Sequence, residues 1–205
     1  MTSLAMTDDE ELEQLERELP VLSRLRRFAD GLEEVPWFSH LGEMLHTGTR
    51  RIAGHYLDQL GFPDTEIAIL ADWDDAAASA ETFDWANPAW EAEELVRADL
   101  TGLALEYMSD EALQLGLSVV TDRAGHAAKS ALLDTAALWD MVDENVHNLS
   151  VGGAVQAAYG AGLLLLAAAN DPEFEADTHV FALKFQLFEK GWWPVGVVGS
   201  SFNLF

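Results

Sequence analysis

The sequence contains no cysteine and very little lysine, and each shortage excludes a class of function. Without cysteine, the chain forms no disulfide, no thiolate nucleophile and no Cys-ligated metal site. Lys and Arg together number 11 against 36 Asp and Glu, which gives a formal net charge of −25. Such a surface repels nucleic-acid phosphates and anionic lipids, so we expect neither as a partner. Three interpretations of the acidity stay open: a solubilising surface, a docking face for a basic protein, and a mimic of nucleic acid.

The N-terminus also lacks the basic segment and apolar segment that together make a secretory signal peptide. We therefore expect a cytoplasmic protein. A chain of 205 residues suits one domain. Because 49% of the residues are hydrophobic, the chain has enough apolar surface for an ordered core despite its charge.

Apolar periodicity and capping residues predict a mainly α fold. Leucines at three- and four-residue steps predict a first amphipathic helix that Pro20 kinks or divides: Leu12, Leu15, Leu19, Leu22 and Leu25. Later helices are predicted over residues 39–60, from Asn87, from Ser109, and over residues 127–147, 151–170 and 177–190. We expect a single-domain bundle of about six to eight helices over residues 1–190, followed by a short β-hairpin over residues 191–205.

Residues 64–76 are ambiguous between helix and strand. The segment "EIAIL" is short and apolar, as in a buried strand, while Asp64 is a possible helix cap. Because Ala-rich and acid-rich sequence follows, we favour helix.

The C-terminal residues favour β-structure. Pro194 prevents a helix from continuing, and two short runs rich in β-forming residues flank Gly199 and Ser200, which suit a two-residue type II′ turn. Because the edges of a two-stranded hairpin can pair with another chain, this tail is a candidate dimer interface. Its candidate interface residues are Trp192, Trp193, Phe202 and Phe205.

The apolar run over residues 151–169 is nearly long enough to cross a bilayer. It is built largely from Gly and Ala, contains Gln156, and has no Lys or Arg close to either end. We therefore expect a buried central helix and no membrane span.

Two Glu-x-x-His motifs match the spelling of a di-metal site in a helical bundle. They are Glu43 with His46 and Glu144 with His147. On the predicted helices, Glu43 lies about 160° from the apolar side and His46 about 100°, while Glu144 lies about 170° and His147 about 130°. All four are therefore expected to face solvent, so a bound metal is not favoured. A metalloprotein with Fe, Mn or Zn, held by these residues or by three converging histidines, remains the alternative.

Other chemistry has weaker support. No nucleophile elbow and no phosphate-binding loop occurs. Asp72, Asp74 and Asp75 lack the rest of an EF-hand loop, so we interpret them as a solvated helix start. Trp73, Trp85 and Trp90 bracket this region. We favour their interpretation as anchors that hold a loop against the core, with the wall of an aromatic pocket as the alternative.

No catalytic residue can be named from this sequence, and no cofactor is implied. We therefore expect a non-enzymatic acidic helical protein that acts through protein–protein interaction. Its partner is expected to be a second copy, as in a homodimer, or a basic protein.

Overall fold

The computed structural model describes residues 15–82, 87–139, 144–171 and 174–205, and α-helix dominates this part of the chain. The mainly α class with a short C-terminal hairpin is confirmed. In chain order, the helices and strands of the described residues are α1 (Pro20–Gly31), α2 (Thr47–Leu60), β1 (Glu66–Ile69), α3 (Trp73–Glu81), α4 (Pro88–Leu105), α5 (Asp110–Trp139), α6 (Glu144–Ala167), α7 (Val180–Glu189), β2 (Pro194–Val198) and β3 (Ser201–Leu204).

Several helix ends lie where the capping residues place them. The Asn87 side chain accepts a hydrogen bond from the Ala89 amide at 2.8 Å, which satisfies a free donor at the start of α4. Ser109 accepts from the Ala112 amide at 3.2 Å and caps α5. Gly61 ends α2 with φ of 95°, a left-handed conformation that glycine adopts without steric cost.

Pro20 is the first residue of α1 and follows non-helical backbone at residues 16–19, which agrees with the expectation that it divides the predicted helix and not with a kink. Proline has no amide hydrogen, so the first turn, where that hydrogen would have no partner, accommodates it best. Leu22 and Leu25 of the predicted stripe are buried, and Leu15 packs beside the core ahead of the helix. Leu12 lies outside the described residues.

Helix α2 begins at Thr47, and the prediction of a helix from residue 39 was wrong. Phe38 and Gly42 have φ of 59° and 69°, in the left-handed region that an α-helix cannot contain. Packing holds Phe38 there, because its side chain is buried edge-on against Phe188 with ring centroids 5.9 Å apart. Residues 39–46 therefore form turns and extended backbone.

Helices α5 and α6 differ from their predicted bounds. The two helices predicted from Ser109 and from residue 127 are one helix of 30 residues, α5, which runs through residues 121–126. The Thr121 hydroxyl donates to the Ser118 carbonyl at 2.9 Å, which keeps this polar side chain satisfied within the helix. Helix α6 begins at Glu144 rather than at residue 151. Residues 140–143, which the predicted helix over 127–147 includes, lie outside the described part.

The hairpin has the predicted turn. Gly199 has φ of 60°, while Ser200 is not among the non-glycine residues with positive φ, which is the type II′ pattern. Strands β2 and β3 pair antiparallel on either side of this turn.

Residues 66–69 form strand β1, and the preference for helix there was wrong. Strand β1 pairs in parallel with β3, with Glu66 opposite Ser201 and Ile69 opposite Leu204, so the sheet order is β1-β3-β2. A short apolar segment takes the conformation that its partner allows, and here the partner is the open edge of the hairpin. The Ala-rich sequence becomes helical only from Trp73.

Helix α6 lies at the centre of the molecule, where it contacts α1, α3, α4, α5, α7 and β2. By length and composition it is also apolar enough to cross a membrane, and half of its most apolar window is buried inside the structure. Core helices of soluble proteins meet the same criterion.

Candidate functional site

A cavity of about 300 Å³ lies where α2, α3, α4, α6 and α7 meet strand β2. Its lining is mostly apolar and aromatic, with a small set of polar groups. This combination is typical of sites that bind small molecules. Three of these polar groups contact one another and come from helices that are distant in the sequence.

Tyr56 of α2, Glu93 of α4 and Lys184 of α7 form a buried ionic cluster in the cavity lining. The Lys184 ammonium nitrogen lies 2.7 Å and 2.8 Å from the two carboxylate oxygens of Glu93. The Tyr56 hydroxyl donates a hydrogen bond to Oε1 of the same carboxylate. Glu93 is only 4% exposed, so the lysine charge and the tyrosine hydroxyl replace the water that the carboxylate loses on burial.

Tyr56 is the titratable group that this environment perturbs most clearly. Burial raises the pKa of its hydroxyl well above the ordinary value, and the charge of Glu93 and the hydrogen bond to it raise the pKa further. Tyr56 therefore stays protonated at neutral pH. It acts in the cluster as a hydrogen-bond donor and is unsuited to the role of a general base.

Two tryptophans line the cavity. Trp90 comes from α4 and Trp193 precedes β2. Helix α6 passes close to Trp193. A Cβ added at Gly153 would lie only 3.0 Å from Nε1 of that indole. At neighbouring Gly152, which also lines the cavity, an added Cβ would meet no atom within 4 Å.

The remaining polar lining is neutral except for one acid. Asn148 and Gln156 of α6 contribute amides, which both donate and accept hydrogen bonds. The exposed Glu81, at the end of α3, contributes the second carboxylate. Two carboxylates and one ammonium group give the cavity lining a formal charge of −1.

The first Glu-x-x-His motif does not lie on a helix. Glu43 and His46 are in the irregular segment before α2, so their predicted helical phases do not apply. Both side chains are exposed, and the Glu43 carboxylate lies 3.0 Å from Nδ1 of His40.

The second motif lies on the first turn of α6 rather than at the end of the preceding helix. Glu144 is exposed and His147 is half-buried. Among the described residues, no group of three or more His, Asp or Glu is placed to hold a metal ion. Within the described part of the chain, therefore, neither the two Glu-x-x-His motifs nor three histidines come together as a set of metal ligands.

The acidic cluster near residue 72 caps helix α3. Asp72 accepts from the Asp75 amide at 2.9 Å, and Asp75 accepts from the Ala71 amide at 3.3 Å. These bonds satisfy amide groups at the helix start, where negative charge also interacts well with the helix dipole.

The three tryptophans of that region have different positions. Trp73 packs in the core against Phe205, with ring centroids 4.9 Å apart. Trp90 lines the cavity, which is the alternative to the favoured interpretation of a loop anchor. Trp85 lies outside the described residues.

The candidate interface residues of the tail lie in the interior. Trp192, Trp193, Phe202 and Phe205 are between 0% and 2% exposed. Their packing joins the hairpin to the helices. For example, the ring centroids of Phe202 and Tyr56 are 5.0 Å apart. Contact with a partner through these four side chains would require the core to open.

Sequence reasoning missed the cluster of Tyr56, Glu93 and Lys184. Its members are 37 and 91 residues apart, so no local motif connects them. One signal was present: Lys184 is one of three lysines in the chain and lies in the apolar segment "VFALKFQLF". A lysine in such a segment needs a buried partner, because burial of an unpaired charge is costly.

Comparisons of the chain with protein-family models, curated proteins and solved structures find no match.

Proposed function

We propose that this protein binds a small organic molecule in the cavity beside Tyr56, Glu93 and Lys184, without transforming it chemically. The observation that carries the proposal is the buried ionic cluster in the lining of a largely apolar cavity. Ionic groups contribute less to stability than well-packed apolar residues of similar volume, so their presence at a cavity favours a role in recognition. The cytoplasmic location expected from the sequence is part of the proposal.

The cluster supports binding better than catalysis. Tyr56 stays protonated, and the Glu93 carboxylate already accepts hydrogen bonds from Lys184 and Tyr56. A general base needs a free lone pair directed at the proton that it removes. The three groups instead hold one another in a fixed geometry, which suits the orientation of a ligand.

Gly152→Leu provides a direct test. An added Cβ meets no atom at Gly152, so a leucine side chain there has the cavity to occupy. Gly102→Leu is the matched control, because Gly102 is an exposed helical glycine with open space around it and does not line the cavity. Both variants replace a helical glycine and are expected to fold.

The measurement is a ligand-observed NMR screen of small organic compounds against the full chain. We expect compounds that bind the native chain and the Gly102→Leu variant but not the Gly152→Leu variant. Circular dichroism confirms that both variants are folded. The proposal fails if no compound binds the native chain, or if Gly152→Leu binds every compound as well as the control does.

A protein partner remains a second proposal. The net charge of −25 supports a basic partner, and the exposed side chains of Met44 and Leu95, at 89% and 69%, offer apolar contact area. Light scattering of the purified chain tests self-association. A basic partner would be recognised by binding that weakens as salt increases, because salt screens charge attraction between surfaces.

A further inference from the structure

We propose that the ligand of this cavity is an organic cation, such as a quaternary ammonium compound or a protonated amine. This inference rests on the proposed function and names the chemical class of the ligand. Three observations carry it: the charge of the cavity lining, the two tryptophans in that lining, and the charge of the whole chain.

The charge in the cavity lining favours a cation. Lys184 is the cationic group of the lining, and its ammonium nitrogen is within hydrogen-bond distance of both oxygens of Glu93. This pair is neutral as a unit, which leaves the exposed Glu81 carboxylate as the uncompensated charge. An anionic ligand would be repelled by Glu81, whereas a cation would be attracted to it.

The two tryptophans of the lining provide the second element of cation recognition. The face of an aromatic ring carries partial negative charge, and tryptophan attracts cations most strongly. Trp90 and Trp193 both contribute to the lining. Aromatic walls with a nearby carboxylate are also well suited to quaternary ammonium groups, which cannot donate N–H hydrogen bonds.

The net charge of the whole chain also favours a cationic ligand. A net charge of −25 concentrates cations near the surface and repels anions, and a cleft of the same sign strengthens this effect. Ligand entry should therefore be faster at low salt than at high salt.

The test compares cations with neutral molecules of nearly the same shape. Choline is paired with 3,3-dimethylbutanol, in which carbon replaces the charged nitrogen, and benzyltrimethylammonium is paired with neopentylbenzene. Each probe is titrated into the full chain by calorimetry or ligand-observed NMR. We expect at least one cation to bind roughly tenfold more tightly than its neutral partner.

Variants assign the preference to named residues. Glu81→Gln should weaken binding of the cation several-fold and leave the neutral partner unaffected, whereas Glu33→Gln, at an exposed position outside the cavity, should change neither. Trp90→Leu should also reduce the preference for the cation. Gly152→Leu should abolish binding of both probes.

The outcomes separate this inference from the proposed function. Equal or tighter binding of the neutral partners, lost in Gly152→Leu, would overturn the inference and leave the proposed function standing. Cation binding that Gly152→Leu does not affect would place the ligand elsewhere and overturn the inference. Failure of both cations to bind also overturns it, and the wider compound screen then decides the proposed function separately.

Discussion

The ammonium nitrogen of Lys184 lies within 2.8 Å of both carboxylate oxygens of Glu93, although the two residues are 91 positions apart in the sequence. The contact joins α7 to α4 in the lining of the cavity. Glu93 is 4% exposed and the Lys184 side chain 13%, so water screens the pair only weakly.

Removing one partner of this pair should be strongly destabilising. Lys184→Met leaves the Glu93 carboxylate buried without its cation, and we expect a loss of about 3–5 kcal/mol in the free energy of unfolding. The double variant Glu93→Gln with Lys184→Met removes both charges and should recover much of that loss. Urea denaturation of the native chain, both single variants and the double variant measures the coupling.

A surface pair provides the control for this measurement. Nη1 of Arg123 lies 3.4 Å from Oδ1 of Asp30, and the two side chains are 36% and 54% exposed, respectively. Asp30→Asn should change the free energy of unfolding by less than about 1 kcal/mol. Equal effects at Lys184 and Asp30 would contradict the description of the cavity pair as a buried charge pair.

Tyr56 should make the protein less stable at alkaline pH. Because its pKa is raised by burial and by Glu93, the folded chain keeps this proton at pH values where the unfolded chain loses it. The stabilisation is therefore complete below the unfolded pKa of about 10 and is lost as pH rises through the folded pKa. Tyr56→Phe should remove this part of the pH dependence and cost about 1.5–3 kcal/mol at neutral pH.

The measurement is urea denaturation from pH 8 to pH 11, together with the ultraviolet absorbance of tyrosinate. Burial also raises the pKa of Tyr107, so the comparison that isolates Tyr56 is native chain against Tyr56→Phe. Identical alkaline profiles for these two proteins would contradict the prediction.

His179 should make the protein less stable in mild acid. Its Nδ1 accepts a hydrogen bond from the Phe181 amide at 3.2 Å at the start of α7, and burial lowers the pKa of the ring. The stabilisation is complete above the unfolded pKa of about 6.5 and is lost as pH falls through the lower folded pKa, because protonation removes the acceptor. Denaturation midpoints between pH 5 and pH 8 measure the effect.

His179→Asn separates the cap from the titration. Asparagine caps a helix well and does not ionise, so this variant should keep α7 capped and lose the pH dependence in that interval. Persistence of the full pH dependence in His179→Asn would assign it to another group.

The histidines of the Glu-x-x-His motifs provide the test of a metal site. We expect His46→Ala and His147→Ala each to change the free energy of unfolding by about 0.5 kcal/mol or less, since exposed or half-buried side chains outside a metal site contribute little. Elemental analysis of the purified, untagged protein should find no stoichiometric iron, manganese or zinc. A bound metal that either substitution removes would instead support the metalloprotein alternative.

The first Glu-x-x-His motif shows the limits of predicting a site from motif spacing and helical phase. Periodicity predicts helical phases for Glu43 and His46, but the helix begins only at Thr47, because Phe38 and Gly42 adopt left-handed backbone conformations upstream. Such conformations depend on packing for Phe38, whose ring is buried against Phe188. Periodicity within one segment contains no information about a neighbour 150 residues away.

Local sequence by itself determined the helical class, the caps at Asn87, Ser109 and Gly61, and the type II′ turn at Gly199, because these features depend on atoms a few residues apart. Tertiary structure alone decided that residues 66–69 form a strand, since a short apolar segment adopts β-structure when an edge such as that of β3 is available to it. Tertiary structure also brought Tyr56, Glu93 and Lys184 together, because a buried charge is tolerated only where the fold supplies its partner.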